Sequence, residues 1–102
     1  MRPTVYISIG NSDDKLPQAE WAEFVMRIQA LMQAYGTIHG EWYSLPNQRW
    51  QNACWCLETY DGERGVLRKR LSEIARNYRQ DSIAWAEATT ERIAPAKREE
   101  KR

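Results

Sequence analysis

Long hydrophobic runs are absent from this sequence, which excludes a helix that crosses a membrane. Such a helix needs roughly 20 consecutive apolar residues, and no segment approaches that length. The first residues, Met1-Arg2-Pro3-Thr4, lead straight into a strand-like segment without the apolar core of a signal peptide. We therefore expect a cytoplasmic protein with no membrane partner.

Histidine and cysteine are also scarce, and the net charge is small. The 102 residues include one histidine, His39, and two cysteines. Cys54 and Cys56 are two positions apart in one predicted strand, which is a poor spacing for a structural disulfide. Fifteen basic residues against 14 acidic ones leave a net charge of +1, so the chain has no overall attraction for nucleic acid or anionic lipid. We expect no cofactor, and we do not expect nucleic acid as a partner.

Large aromatic rings are abundant, with five tryptophans and five tyrosines. Rings of this size fill hydrophobic cores, and they also anchor interfaces. At this chain length a second domain would be too small to hold a core of its own. We therefore predict one domain over residues 1–91, followed by a charged, flexible C-terminal tail over residues 92–102.

The fold is organised around residues 51–60, which are apolar almost without interruption between Ala53 and Leu57. A strand with one face in water alternates apolar and polar residues, so this pattern favours a central strand covered on both sides. Three further segments are predicted as strands, namely residues 4–9, 37–44 and 82–87. Apolar residues recur at helical spacing in residues 18–35 and again in residues 61–78.

The resulting order of elements is β-α-β-β-α-β, which is the split βαβ pattern of the ferredoxin-like α+β fold. This order predicts a four-stranded antiparallel sheet with two helices on one face. Right-handed crossovers place the first and third strands in the middle of the sheet. The other face of the sheet is then left uncovered by the helices, and a function would have to use that surface.

A hairpin centred on Asn47-Gln48 sets the register of the second and third strands. The pairs on the helix side are then Trp42 with Ala53, Gly40 with Trp55, and Ile38 with Leu57. The candidate binding surface consists of aromatic and polar residues left on the uncovered face, together with a tryptophan in the hairpin loop. Its members are Tyr6, His39, Glu41, Tyr43, Trp50, Cys54 and Cys56.

The first interpretation of this surface is an interface. Aromatic rings with scattered polar groups are typical of interface centres, and several rings left in water are unfavourable. We expect a small, non-catalytic binding protein whose partner is another protein or a second copy of the chain. Small domains without catalytic groups often serve as stoichiometric inhibitors, antitoxins, immunity proteins or phage accessory proteins. These classes are suggested by analogy of size and not by particular residues.

The alternative interpretation is a small-molecule site. In dimeric α+β-barrel enzymes two such sheets pack together and leave a pocket between sheet and helices. A protein of that type would place Tyr6, His39, Tyr43 and the thiols around a small-molecule or nucleotide ligand. A pocket that holds His39 with converging polar groups would favour this alternative.

Two short segments resemble other families with this fold. Val5-Tyr6-Ile7 resembles the first-strand motif of RNA-recognition domains, which implies a ring stacked on a base and makes RNA binding a second alternative. The third strand lacks the basic and aromatic pattern of those domains. Residues 9–15 resemble the end of the first strand in CRISPR-associated ferredoxin-like nucleases. A catalytic aspartate closes that strand in the family, whereas this chain has Gly10 there, so no catalytic residue is assigned.

Four residues are of types that bind zinc, but their arrangement does not predict a zinc site. His39, Glu41, Cys54 and Cys56 are residue types that bind zinc, and they share one face in the deduced register. Their spacing matches no standard zinc module, and a flat sheet does not wrap around an ion. Two small thiols and an ordinary surface histidine are the simpler interpretation.

Overall fold

The computed structural model describes residues 4–98, and its elements follow the predicted order. The strands are β1 (Thr4–Gly10), β2 (Gly36–Tyr43), β3 (Asn52–Thr59) and β4 (Ala84–Ala88). The helices are α1 (Gln18–Tyr35) and α2 (Arg64–Asn77), and a short 3-10 turn occupies Ser12–Asp14. The predicted ferredoxin-like α+β fold is confirmed.

The two ends of the chain extend beyond this framework. Residues 89–98 contain neither helix nor strand. Residues 1–3 of the predicted domain and residues 99–102 of the predicted tail lie outside the described residues, so the domain boundary and the flexible tail stay predictions. Within residues 4–98 no helix is long and apolar enough to cross a bilayer.

The helices form because their apolar residues recur at helical spacing and pack against one face of the sheet. The buried helical side chains are Trp21, Phe24, Ile28 and Met32 in α1, and Leu67, Leu71 and Ala75 in α2. The sheet contributes Val5, Ile7, Ile9, Ala53, Trp55 and Leu57 to the same core. Trp55 is the largest fully buried side chain among the described residues, so the segment singled out from the sequence does lie at the centre of the core.

The sheet is antiparallel, and its strand order is β2-β3-β1-β4. β1 and β3 are therefore the central strands, as predicted. The helices pack on the face that carries Trp55, which we call the helix side. No helix or strand of residues 4–98 covers the other face, which we call the open face.

The predicted register of β2 is wrong beyond Ile38, and a β-bulge at His39 is the reason. Ile38 pairs with Leu57 as predicted, but the next pair is Gly40 with Cys56, so β2 carries one extra residue. A one-residue shift turns every later side chain of a strand to the opposite face of the sheet. The faces predicted for residues 40–43 are therefore exchanged.

Gly36 allows a close approach of backbones and is not a left-handed helix cap. Its backbone is extended, with a φ of −177°. A Cβ atom at this position would lie 2.4 Å from the carbonyl oxygen of Glu58. The end of α1 is where the sequence predicts it, but the physical reason for the glycine is the pairing of β2 with β3.

Hydrogen bonds between distant residues tie the connection after β1 to the connection after α2. The backbone N–H of Ser12 donates to Oε1 of the buried Gln80 at 2.8 Å. The backbone N–H of Asp81 donates to Ser12 Oγ at 3.2 Å, and Lys15 Nζ donates to the carbonyl of Arg79 at 2.9 Å. These bonds fix the two loops to each other at one end of the sheet.

Candidate functional site

The open face consists mainly of small side chains in rows that cross the sheet. From β2 to β4 the rows are Gly40, Cys56, Tyr6, Ala86, then Trp42, Cys54, Ser8, Ala84, then Thr37, Glu58, Thr4, Ala88. Two aromatic side chains of this face are exposed to solvent, Tyr6 to 39% and Trp42 to 54%. Their centroids are 6.5 Å apart. The open face is thus a nearly flat floor with one pair of exposed rings.

A cleft of about 850 Å³ opens on this face, and we call it the His39 cleft. Its lining residues come from all four strands and from the segment after β4. They include Tyr6, His39, Cys56, Glu58, Thr90 and Arg92. Three of the predicted surface residues, Tyr6, His39 and Cys56, are therefore brought together in one place.

The bulge in β2 places His39 beside the end of β3. His39 Nε2 lies 3.0 Å from Glu58 Oε1, with the two side chains 52% and 33% exposed. A carboxylate that accepts the Nε2 proton favours the tautomer in which Nδ1 has a free lone pair. The pair is therefore able to accept a proton from a molecule bound in the cleft.

Tyr6 and Cys56 are direct cross-strand partners on the floor of the cleft. The contact between the Cys56 side chain and the Tyr6 hydroxyl raises the pKa of Tyr6 above its ordinary value of 10.0. A phenol is protonated at neutral pH even at its ordinary pKa, and this contact holds the proton to higher pH. A protonated phenol can donate a hydrogen bond to an oxygen of a ligand.

Glu41 and Tyr43 were predicted on the open face, and this placement is wrong because both follow the bulge. The Tyr43 ring meets the Trp55 ring edge-on at a centroid distance of 5.9 Å. The Tyr43 hydroxyl donates to Glu41 Oε2 at 2.9 Å, and Trp55 Nε1 donates to the same oxygen at 3.2 Å. Burial, followed by the bond to Glu41, raises the pKa of Tyr43. Both residues belong to the helix side and are absent from the His39 cleft.

Cys54 and Trp50 lie on or near the open face but outside the His39 cleft. Cys54 pairs with Ser8, one row away from Cys56. Trp50 is in the loop between β2 and β3, 54% exposed, and its φ of 58° is a strained value for a tryptophan. It lines a shallow depression with Ser8 at the far end of the face.

Two residues of this region are missing from the candidate binding surface predicted from the sequence. Glu58 follows Cys54 and Cys56 in the alternation of β3, so the strand pattern already places it on the open face. Trp42 is turned to the open face by the bulge, and the one sequence signal for that bulge is the isolated Gly40, which can also indicate close packing.

The zinc-type residues do not converge. Glu41 is on the helix side, whereas His39, Cys54 and Cys56 are on the open face. Among residues 4–98 no group of three or more histidine, cysteine, aspartate or glutamate side chains is arranged to hold a metal ion.

Comparison with known proteins adds one finding. No protein-family model matches the chain, and no curated protein matches its sequence. Among solved structures the chain is similar to SnoaB, a cofactor-independent oxygenase from Streptomyces nogalater, with a TM-score of 0.60. The match covers 94% of this chain and 100% of SnoaB at 9% sequence identity. At this level of identity the likeness shows a shared fold and nothing further.

Proposed function

We propose that this chain is a small-molecule-binding protein whose sheet pairs with that of a second copy, as in the dimeric α+β-barrel type, and whose ligand lies in the His39 cleft on the open face rather than between sheet and helices. The observation that carries the proposal is the 3.0 Å contact between His39 Nε2 and Glu58 Oε1. The same cleft presents the Tyr6 hydroxyl and the Cys56 thiol. Its volume of about 850 Å³ is within the range of small-molecule sites.

The side chains of the cleft favour a ligand that carries an acidic hydroxyl group, such as a phenol or an enol. Nδ1 of His39 would accept the hydroxyl proton, and Glu58 would stabilise the imidazolium that forms. Tyr6 would donate a hydrogen bond to the oxygen that becomes negative. This proton transfer uses the chain's own side chains and requires no cofactor.

The similarity to SnoaB supports the proposal through the shared fold, since SnoaB is an enzyme built on it. SnoaB is a cofactor-independent oxygenase, and chemistry without a cofactor depends on side-chain acids and bases. The His39–Glu58 pair is such a base. We therefore extend the proposal to catalysis that begins with removal of a proton from the bound ligand.

A second copy of the chain would complete the site. Small side chains let another sheet approach the open face closely, and Tyr6 and Trp42 present apolar rings that are unfavourable in water. A sheet packed over the His39 cleft would exclude water and strengthen the electrostatic contact between His39 and Glu58. We propose a homodimer in which the two open faces meet.

Titration with para-nitrophenol tests the proposed site, since its phenolate absorbs visible light and its phenol does not. The titration is run about one unit below the pKa of the free probe, where most of it is protonated. Binding to the wild-type protein should increase the phenolate band, because protonated His39 stabilises the anion. His39→Gln should bind the phenolate at least about tenfold more weakly, since a charge-assisted hydrogen bond is lost.

Glu58→Gln and Glu41→Gln form a matched pair for this titration. Both replace a carboxylate by an amide of the same shape, but Glu41 bonds to Trp55 on the helix side. We expect Glu58→Gln to reduce the phenolate band and Glu41→Gln to leave it unchanged. A band of wild-type size in His39→Gln, or equal losses in the two glutamate variants, would contradict the proposal.

A non-catalytic binding role is the second candidate function, and the exposure of Trp50 favours it. Trp50 is 54% exposed and held in a strained backbone conformation beside the open face. An exposed tryptophan of this kind suits the centre of an interface with another protein. In that case the wild-type chain would not increase the phenolate band of para-nitrophenol.

A further inference from the structure

A second cavity lies on the helix side, between α2 and the edge strand β4. Its volume is about 440 Å³. α2 contributes Arg68, Ser72 and Arg76, which follow one another at intervals of one helical turn and so share one side of the helix. Ile83 and Trp85 form part of the opposite wall. This cavity is separated from the His39 cleft by the sheet.

Two arginines give this cavity a positive wall. The guanidinium carbon of Arg68 lies 5.2 Å from the centroid of the Trp85 ring, a distance at which the ring holds the cation in place. Neither Arg68 nor Arg76 forms an ion pair with a carboxylate of residues 4–98. Both guanidinium groups are therefore available to an external anion.

The neighbouring arginines of α2 differ in this respect. Arg64 pairs with Glu87, and Arg70 pairs with Glu73 at 3.3 Å. Within residues 4–98, the two α2 arginines without a carboxylate partner are thus the two that line the cavity, while the two that do not line it have acidic partners.

The acidic residue at the rim does not neutralise this wall. Asp81 lines the cavity, but its Oδ1 lies 3.3 Å from Lys15 Nζ. The indole of Trp85 adds a second polar group, since its Nε1 is buried and has no hydrogen-bond partner among the described residues. Buried donors normally have an acceptor, and a ligand in the adjacent cavity would be able to supply one.

We propose that this cavity binds a small anion with a flat apolar body and a carboxylate or phosphate head. Arg68 and Arg76 would hold the head, because the planar guanidinium matches the oxygens of both groups in a bidentate fashion. The apolar body would lie against Trp85, Ile83 and Leu71. The site is independent of the His39 cleft and does not rest on the function proposed for that cleft.

Two-dimensional 1H–15N spectra of the full chain test this site through the indole N–H of Trp85, assigned with Trp85→Phe. The probes are 2-naphthoate, 2-naphthyl phosphate and the neutral 2-naphthamide, which share the ring system and differ in the head group. We expect the anions to shift the Trp85 indole signal and the amide to bind at least about tenfold more weakly. The tighter of the two anions identifies the head group.

Charge variants on one helix provide the control. Arg68→Gln and Arg76→Gln should each weaken binding of the tighter anion about tenfold. Lys69→Gln removes the same charge from α2 at a residue that does not line the cavity, and it should leave binding unchanged. Equal binding of 2-naphthamide, an equal loss in Lys69→Gln, or no shift of the Trp85 signal with either anion would overturn the proposal.

Discussion

Three tyrosines of this chain have raised pKa values for different physical reasons. Contact with Cys56 raises the pKa of the exposed Tyr6, whereas burial is the main cause at Tyr43 and Tyr78. Tyr78 is the most deeply packed, with its ring 5.0 Å from the ring of Phe24. In the core the phenol is therefore a hydrophobic group whose ionisation is opposed by the fold.

Stability should consequently fall at alkaline pH through Tyr78. In the unfolded chain its phenol ionises near the ordinary pKa of 10.0, while the folded state holds the proton to higher pH. The unfolded state then binds fewer protons, so the contribution of Tyr78 to the free energy of unfolding is fully present below the unfolded pKa and is lost as the pH rises through the folded pKa. Urea unfolding at a series of pH values should show this decrease.

Tyr78→Phe should make the decrease shallower, because phenylalanine keeps the ring and removes the titrating group. Tyr60→Phe is the control, since Tyr60 is 39% exposed. An alkaline decrease that is the same in Tyr78→Phe and in the wild-type chain would show that Tyr78 is not its source.

At the scale of the elements, β2 differs from the other strands because a bulge interrupts its alternation. Before the bulge the even-numbered Ile38 faces the helix side, whereas after it the odd-numbered Tyr43 does. The face assignments of β1 and β3 were predictable, since alternation in Val5-Tyr6-Ile7 and the register of Leu57 fix them. Residues 40–43 were not predictable in the same way. Gly40 is compatible with a bulge, since an isolated glycine in a strand can mark one, but it also fits close packing in a regular strand. Both registers place an aromatic ring on the helix side, so the sequence does not decide between them.

The bulge itself can be tested by comparing deletion of His39 with His39→Ala. Deletion would remove the extra residue and leave Gly40 opposite Cys56 and Tyr43 opposite Ala53, so Tyr43 would stay on the helix side beside Trp55. We expect deletion to lower the free energy of unfolding by less than about 2 kcal/mol, since no core contact is lost. The near-ultraviolet circular dichroism from the Tyr43–Trp55 pair should persist.

His39→Ala keeps the length of β2 and should likewise preserve the dichroism and most of the stability. Loss of the Tyr43–Trp55 dichroism in the deletion variant but not in His39→Ala would contradict the description of His39 as one extra residue in an otherwise regular pairing.

At the scale of the whole molecule, the proposed homodimer depends on the open face. Light scattering after size exclusion at micromolar concentration should give twice the chain mass of 12.0 kDa. Trp42→Ala should shift the protein toward the monomer, because it removes the largest exposed ring of that face.

Tyr43→Ala is the matched control for association. Tyr43 is on the same strand and is 50% exposed, close to the 54% of Trp42, but it faces the helix side. It should lower stability without changing the mass in solution. A monomeric wild-type chain, or dissociation by Tyr43→Ala and not by Trp42→Ala, would rule out a dimer built on the open face.

The fold was predictable from sequence, and the candidate site only in part. Element order and a central apolar strand suffice for the topology, because few topologies satisfy the crossover rules. The His39 cleft requires more, since His39 and Glu58 are 19 residues apart in sequence and only the paired strands bring them together. Residue types on a face can be deduced from alternation, but the faces of Glu41, Trp42 and Tyr43 depend on a backbone irregularity.

The pairing of β1 with β4 has a practical consequence for the design of expression clones. Thr4 pairs with Ala88, and the Thr4 and Thr90 hydroxyl oxygens lie 3.5 Å apart, so both ends of the folded framework meet at the rim of the His39 cleft. A polyhistidine tag at the N-terminus would begin a few residues from that rim and would bring foreign imidazoles to the proposed base. A circular permutant that joins these ends and opens the chain in the loop between β2 and β3 would carry its tag at the opposite end of the strands.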